Sequence, residues 1–382
     1  MLSLTTRFKI ILSVLAVILL TGSFIFYRTT TTPEGKNEIL LKVLMQGLSQ
    51  GHYQPEKVDD EFSKKVFKLY LERLDYNKKF LLSSDVAKLR KYETSIDDQL
   101  RAGSYEFFDL SADLIEQRLK ESQGYYREVL AKPFDFSKEE TIELDGEKLA
   151  FAKDKNELKE AWRKQLKYQT LVRLADMQKE QEKKQPEGGK KETKTLEQME
   201  VEARKKVLSL YDDLYERLYR INRDDRRATY INAVANVYDP HTGYFPPKAK
   251  SDFDIEFTGR LEGIGASLQE KDGQIKVHEI VPGSPSYIQG ELKPGDAIQK
   301  VAQGDKDPVI IEGMRLDDAI QLIRGKKGTE VRLTVKKPDG STKIIPIIRD
   351  VIVFEETYAQ SAMIDGDKKI GYIKLPGFYA DF

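Results

Sequence analysis

Residues Leu261 to Gly328 leave this chain few ways to fold. Gly263 and Gly265 stand immediately before an apolar strand signal, Ala266-Ser267-Leu268. Glycine lets a loop turn several backbone N–H groups inward, and a loop of that kind can hold an anion. Downstream come a strand signal from Ile275 to Val281, a Pro-Gly-Ser-Pro turn, and Leu292-Lys293-Pro294-Gly295-Asp296, a tight turn feeding a strand from Ala297 to Val301. In Arg315 to Arg324 the apolar residues Leu316, Ala319, Ile320 and Ile323 recur at helical spacing, and Gly325 reads as the stop. An isolated Gly-Ile-Gly usually serves only a turn or a bulge. Here the strands, the turn and the amphipathic helix follow it in order.

Composition bounds the rest. At 382 residues the chain has room for two or three domains with sizeable cores. Its 63 lysines and arginines balance 63 aspartates and glutamates, so no global basic field steers nucleic acid to it. With no cysteine there is no disulfide, thiol nucleophile, cysteine metal site or lipid-anchored N-terminus. Arg7 and Lys9 precede an apolar run from Ile10 to Tyr27, at about 18 residues the lower edge of what spans a bilayer. Residues 1–28 therefore read as a signal anchor, or as a signal peptide cut near Thr21-Gly22-Ser23. The two leading positive charges place everything after Arg28 outside the cytoplasm.

From Pro33 to about Lys184 the pattern is helical and highly charged. Phe62, Val66, Leu69, Tyr70 and Leu74 form one apolar stripe, with Asp59 or Asp60 placed to cap it. Further stripes pass through Val86, Leu89 and Ile96, and through Phe107, Leu110, Leu114 and Leu119, until Pro133 ends the series. These aromatic and aliphatic stripes are packing residues, not a cofactor box. Thr141 to Leu149 alternates around Asp145-Gly146 and reads as a hairpin. A long helix follows through Trp162, Leu166 and Leu174. Residues 183–194, KKQPEGGKKETK, hold no apolar residue and read as a flexible loop. Helical spacing resumes through Leu196, Met199, Ala203, Val207, Leu210, Leu214 and Leu218. It appears again through Tyr230, Val234 and Tyr238, ending at Asp239-Pro240.

The order of elements in Leu261 to Gly328 resembles a PDZ domain. The resemblance implies that Gly263, Ile264, Gly265 and Ala266 form a carboxylate-binding loop. The strand through Leu268 and the helix face of Leu316, Ile320 and Ile323 would wall a groove for protein C-terminal tails.

Asp239-Pro240-His241-Thr242, Leu261-Glu262-Gly263-Ile264-Gly265, Arg315 to Gly325, and Gly371-Tyr372-Ile373-Lys374-Leu375-Pro376-Gly377-Phe378-Tyr379 together resemble the tail-specific, or C-terminal processing, serine peptidases of bacterial envelopes. Leu71-Glu72-Arg73-Leu74-Asp75-Tyr76, Phe80-Leu81 and Ser84-Asp85-Val86 are similar to the helical N-terminal domain of the long subgroup. The resemblance implies an α+β chain. Residues 33–250 would be the helical domain, 251–349 the PDZ domain and 350–382 the first strands of a peptidase core. It implies cleavage by a serine with a lysine base, and no residue here matches that dyad. The sequence is therefore expected to stop short of it and to be inactive alone. A membrane-tethered, non-catalytic PDZ protein is the alternative.

No other catalytic motif substitutes. There is no G-x-S-x-G, P-loop or H-E-x-x-H, and His52, His241 and His278 are far apart. Each histidine reads as structural, His241 in a turn. Asp59-Asp60, Asp224-Asp225 and Asp317-Asp318 suit first helical turns, and Asp317 is expected to face solvent. No cofactor or metal is indicated; any adaptor protein is unspecified. A reporter that works only outside the cytoplasm should be active when fused after Phe382, whereas activity from a cytoplasm-requiring reporter would defeat the exported topology.

Overall fold

The computed structural model describes residues 32–183, 194–258, 260–271, 273–353, 359–366 and 368–375. The expected anchor at 1–28, residues 184–193 of the expected loop and the stretch 376–382 lie outside them. Among the described residues no helix is long and apolar enough to cross a membrane. The chain divides into two compact units between Tyr244 and Phe245.

The first unit is helical: α1 (Pro33–Gly51), α2 (Asp60–Asp75), α3 (Ser83–Leu89), α4 (Ile96–Ala102), α5 (Glu106–Leu130), α6 (Lys155–Lys183), α7 (Leu196–Arg220) and α8 (Arg223–Tyr238). Helix starts follow local chemistry. The Asp59 carboxylate accepts from the Glu61 and Phe62 amides, and Thr195 with Gln198 and Asn222 with Asp225 form capping boxes. The α2 stripe buries Phe62, Val66 and Tyr70. Tyr70 meets Tyr230 of α8 edge-on at 5.2 Å and places its hydroxyl 2.9 Å from Ser111 of α5. A second aromatic group joins Tyr126, Tyr211, Tyr215 and Trp162, and the Tyr215 hydroxyl donates to Ser122 at 2.6 Å. Tyr70 and Tyr215 thus keep their polar tips satisfied in a core of aromatics.

The expected hairpin at 141–149 is not formed; the segment has no strand, only a turn. Local side chains take the bonds a ladder would have used. Glu143 accepts from the Leu144 and Asp145 amides, and Asp145 from the Glu147 amide. Such acidic side chains compete with regular pairing through their own backbone neighbours. The Asp239-Pro240-His241-Thr242 turn is held by α8 and α1: Asn236 donates to the Thr242 carbonyl at 2.7 Å, and the His52 ring lies 3.0 Å from the Thr242 hydroxyl. The His241 ring is exposed, its Nδ1 3.1 Å from the Asp239 carboxylate.

One ion pair lies in this core. Arg118 of α5 grips Asp85 of α3 with two bonds, 2.7 and 3.0 Å, and reaches Glu121 at 2.6 Å. Burial pushes the Asp85 carboxyl up, but the Arg118 bonds and the Leu82 amide outweigh it and hold its pKa below the usual value. Asp85 therefore contributes stability that is fully present above the unfolded carboxyl pKa of about 4 and lost as pH falls through the folded one. Asp85→Asn should cost roughly 3 kcal/mol at pH 7, because Arg118 loses its buried partner. The gap in melting temperature between wild type and Asp85→Asn should hold from pH 7 to about 4 and narrow as the pH falls below that, and a gap that stays constant there would refute the assignment.

The second unit begins with α9 (Pro247–Thr258) and carries β1 (Arg260–Gly263), β2 (Ala266–Lys271), β3 (Gln274–Ile280), α10 (Pro285–Gln289), β4 (Ala297–Gln303), β5 (Val309–Ile310), α11 (Leu316–Ile323), β6 (Glu330–Lys336), β7 (Thr342–Ile348) and β8 (Asp350–Val353). An antiparallel sheet runs β2-β3-β4-β6-β7, with β5 added to β4. Alternation in β6 buries Val331, Leu333 and Val335 against Ala319 and Ile323 of α11. β8 pairs with β1, Gly263 opposite Asp350. β9 (Gln360–Ile364) and β10 (Ile370–Lys374) form a separate, exposed hairpin.

Candidate peptide-binding groove

β2 is the end strand of its sheet. It has β3 on one side and, among the described residues, no strand on the other. α11 packs beside it. Ala266 and Leu268 from the strand and Leu316 and Ile320 from the helix are all half-buried. An open edge next to an apolar helix face is the arrangement that accepts an added strand.

The loop entering β2 is fixed by its carbonyls. Ile264 accepts from the Ser286 amide at 2.9 Å, and Gly265 from the Val281 amide at 2.9 Å and the Ser284 hydroxyl at 3.1 Å. Ser284 also caps α10. Among the described residues the N–H groups of Ile264 and Gly265 have no hydrogen-bond partner. Two adjacent unpaired amides on a braced loop are the kind of donors an anion can use.

The two loop glycines are not equivalent. Gly265 has φ +71°, and a Cβ there would lie 2.1 Å from the Ser284 Cβ. Gly263 has neither constraint; a Cβ would come no closer than 3.9 Å to Arg324. The Ile264 side chain is 3% exposed and belongs to the core, so this residue can serve a ligand only through its backbone. Ile323, expected in the groove wall, is likewise 3% exposed and packs with Ala319 beneath the helix. Its i+4 relation to the buried Ala319 places it on the helix's sheet-facing stripe. Asp317 faces solvent in part, as expected, and pairs with Lys248 of α9 at 2.5 Å. Arg324 pairs with Asp252 at 2.7 Å.

Gly325 does not act as a left-handed helix cap, because α11 ends at Arg324 in extended backbone. A Cβ on Gly325 would instead lie 2.9 Å from the Arg349 guanidinium. Arg349, 2% exposed, was not visible as a functional position in the sequence. It donates to the Ile323 and Leu322 carbonyls at the end of α11, to Thr329, to Glu330 and to Gln303 at 2.7–3.4 Å. Burial pulls its pKa below the usual arginine value. No carboxylate is among these partners, so the charge is carried by oriented oxygens alone.

Among the described residues no serine hydroxyl is hydrogen-bonded to a lysine amine or a histidine ring, and no group of acidic or histidine side chains could hold a metal ion. Gly265→Ala should cost at least about 1–2 kcal/mol from backbone conformation, with overlap on Ser284 in addition. Gly263→Ala should change the melting temperature little. Equal tolerance of the two would show that the loop is not braced as described.

Residues 44–248 match the tail specific protease N-terminal domain family, and residues 253–336 match the PDZ domain family. The tail-specific protease of Haemophilus influenzae is 34% identical over 353 residues, 90% of this chain and 47% of that protein. The carboxy-terminal processing protease CtpA of Bacillus subtilis is 31% identical over 175 residues, 45% of this chain and 35% of that protein. A solved PDZ domain of a carboxy-terminal protease from Vibrio cholerae, in complex with peptide, is 40% identical; the match covers 25% of this chain and 99% of that one, with a TM-score of 0.24. The chain thus spans about half the length of the first relative and about a third of the second. With the N-terminal domain family matched over more than half of its residues, the chain belongs to the tail-specific protease family.

Proposed function

We propose that the chain is the tail-sensing front of a C-terminal processing serine endopeptidase of the bacterial envelope. The observation that carries this reading is the pair of unpaired Ile264 and Gly265 amides at the head of an open β2 edge. A peptide adds beside Ala266 to Leu268, sets its terminal carboxylate on those amides and rests its last apolar side chain against Leu316 and Ile320. Ile323 supports that wall from within the core. The ligands are unfolded or tagged protein tails. Cleavage belongs to a serine and a lysine beyond residue 382. There, desolvation lets the lysine lose its proton and activate the hydroxyl, and backbone amides hold the oxyanion. The apolar run at Ile10 to Tyr27 holds the protein on the outer side of the inner membrane, or is removed on export.

A fluorescent peptide with an apolar free C-terminus should bind the chain, and its amide should bind more weakly because the loop then faces a neutral acceptor. A buried aliphatic contact is worth about 1.5–3 kcal/mol, so Ile320→Ser should cost roughly ten- to hundredfold in affinity. Lys343→Ala, on the opposite edge strand β7, serves as the control and should change nothing. Free acid and amide binding equally, with folded Ile320→Ser unaffected, would sink the tail-sensing function and leave the fold intact.

A further inference from the structure

The helical unit contains a cavity of about 400 Å³ that tail binding in the second unit does not use. It is walled by residues 77–79, by parts of the 141–152 segment and by the first turns of α6. Its apolar surface includes Leu149, Leu158 and the Trp162 ring. The 77–79 wall is rigid. The Asp75 carboxylate accepts three backbone amides, those of Lys79, Phe80 and Leu81, at 2.8–2.9 Å. Lys78 sits at φ 48°, its amine bonded to the Tyr76 and Gly146 carbonyls. The Trp162 indole donates to the Lys79 carbonyl at 2.8 Å.

The acidic side chains of the lining are already engaged. Glu143 accepts from two backbone amides and Glu157 from the Lys153 amide. The donors are not. Among the described residues the side chains of Asn77, Lys79, Lys164 and Gln165, all in the lining, have no hydrogen-bond or ion-pair partner. Lys79 is half-buried, and burial draws its amine below the usual lysine pKa while the Asp75 charge opposes. A partly desolvated ammonium with no acceptor is a cost that a bound anion would offset. The volume suits a small ligand, and apolar walls with a few convergent polar groups are the usual make-up of such a site.

We propose that this cavity binds a carboxylate carried on a small apolar body, with Lys79 and Lys164 facing the charge and Trp162 packing on the body. That chemistry is shared by an aryl- or alkylcarboxylic acid and by the C-terminal residue of a peptide. Trp162 is the sole tryptophan of the chain, so its emission reports this cavity directly. The full chain is titrated with 3-phenylpropionate, with 3-phenylpropionamide, and with a tripeptide ending in phenylalanine as acid and as amide. A saturable Trp162 change is expected from at least one acid, with its amide weaker by about tenfold or more, the value of a charged hydrogen bond. Lys79→Met should weaken the acid by a similar factor, and Lys164→Met should weaken it as well. The response should survive Ile320→Ser, which separates it from tail binding in the second unit. Response to phenylpropionate alone identifies a small acid as the ligand, and response to the tripeptide acid alone identifies a chain end. Absence of any saturable change, equal response to acid and amide, or an unaltered Kd in folded Lys79→Met overturns the proposal. Should Lys79→Met fail to fold, the acid and amide comparison on wild type decides.

Discussion

The buried Arg349 guanidinium is the interaction on which the second unit depends. It stands between β7 and β8, and its backbone exchanges bonds with the 328–329 turn, Gly328 N–H to its carbonyl and its own N–H to Thr329. Its side chain takes up carbonyls at the end of α11 that the helix itself leaves unpaired. Removing it would leave the Ile323 carbonyl without its donor, at a cost of about 1–3 kcal/mol, while the Leu322 and Glu330 carbonyls keep the Gln303 amide and the Gly304 N–H. The same residue fixes the start of β8, and β8 pairs with the strand that runs into the Gly263 loop. One side chain thereby sets both the end of α11 and the approach to the Gly263 loop.

The helical unit solves the same problem differently. Its buried polar groups are satisfied mostly in pairs: Tyr70 with Ser111, Tyr215 with Ser122, Ser63 with Asp97, and Asp85 with Arg118. Each pair joins helices that are distant in sequence, so each specifies which helix meets which as well as contributing stability. Packing alone would specify less, since large rings such as Phe107, Phe108 and Tyr230 can meet in several tilted or edge-on geometries of similar energy. Tyr230 shows the limit of the scheme. Its hydroxyl is buried with no partner among the described residues, and desolvation raises its pKa far above the usual tyrosine value. The ring is retained for its contacts with Tyr70, Tyr105, Phe107 and Phe108.

What could be read from the sequence was what is local or periodic. The stripe from Phe62 to Leu74, the long helix through Trp162 and the order of strands, turn and helix in Leu261 to Gly328 all carry their signal within a few turns. The segment 141–149 misled because alternation and an Asp-Gly pair also suit acidic side chains that bond their own backbone. Gly325 misled for a related reason. A glycine after a helix suggests a left-handed cap, whereas here it clears space for a residue 24 positions later. Arg349, the contact of Ser284 with Gly265 and the split between Gly263 and Gly265 all depend on chain segments meeting across the fold. No spacing within the sequence encodes those meetings. The core placement of Ile323 could have been found, because a face only as wide as Ala319 and Ile323 is already filled by the sheet and leaves the flank of Leu316 and Ile320 for a ligand.

How the loop is braced bears on what binding can cost. A flexible glycine loop would have to be ordered when a carboxylate arrives, and that entropy would be subtracted from affinity. Here the ordering is done in folding: Ser286, Val281 and Ser284 hold the Ile264 and Gly265 carbonyls, and the Ile264 side chain is seated in the core. The two amides are therefore fixed before a ligand is present. On the function proposed above, a carboxylate would exchange its own hydration for these two amides without reorganising the loop. The strand edge beside it is less selective, since main-chain pairing is available to any extended peptide. Discrimination in such a groove must come from the loop, which can tell a chain end from a chain interior, and from the narrow apolar wall of Leu316 and Ile320.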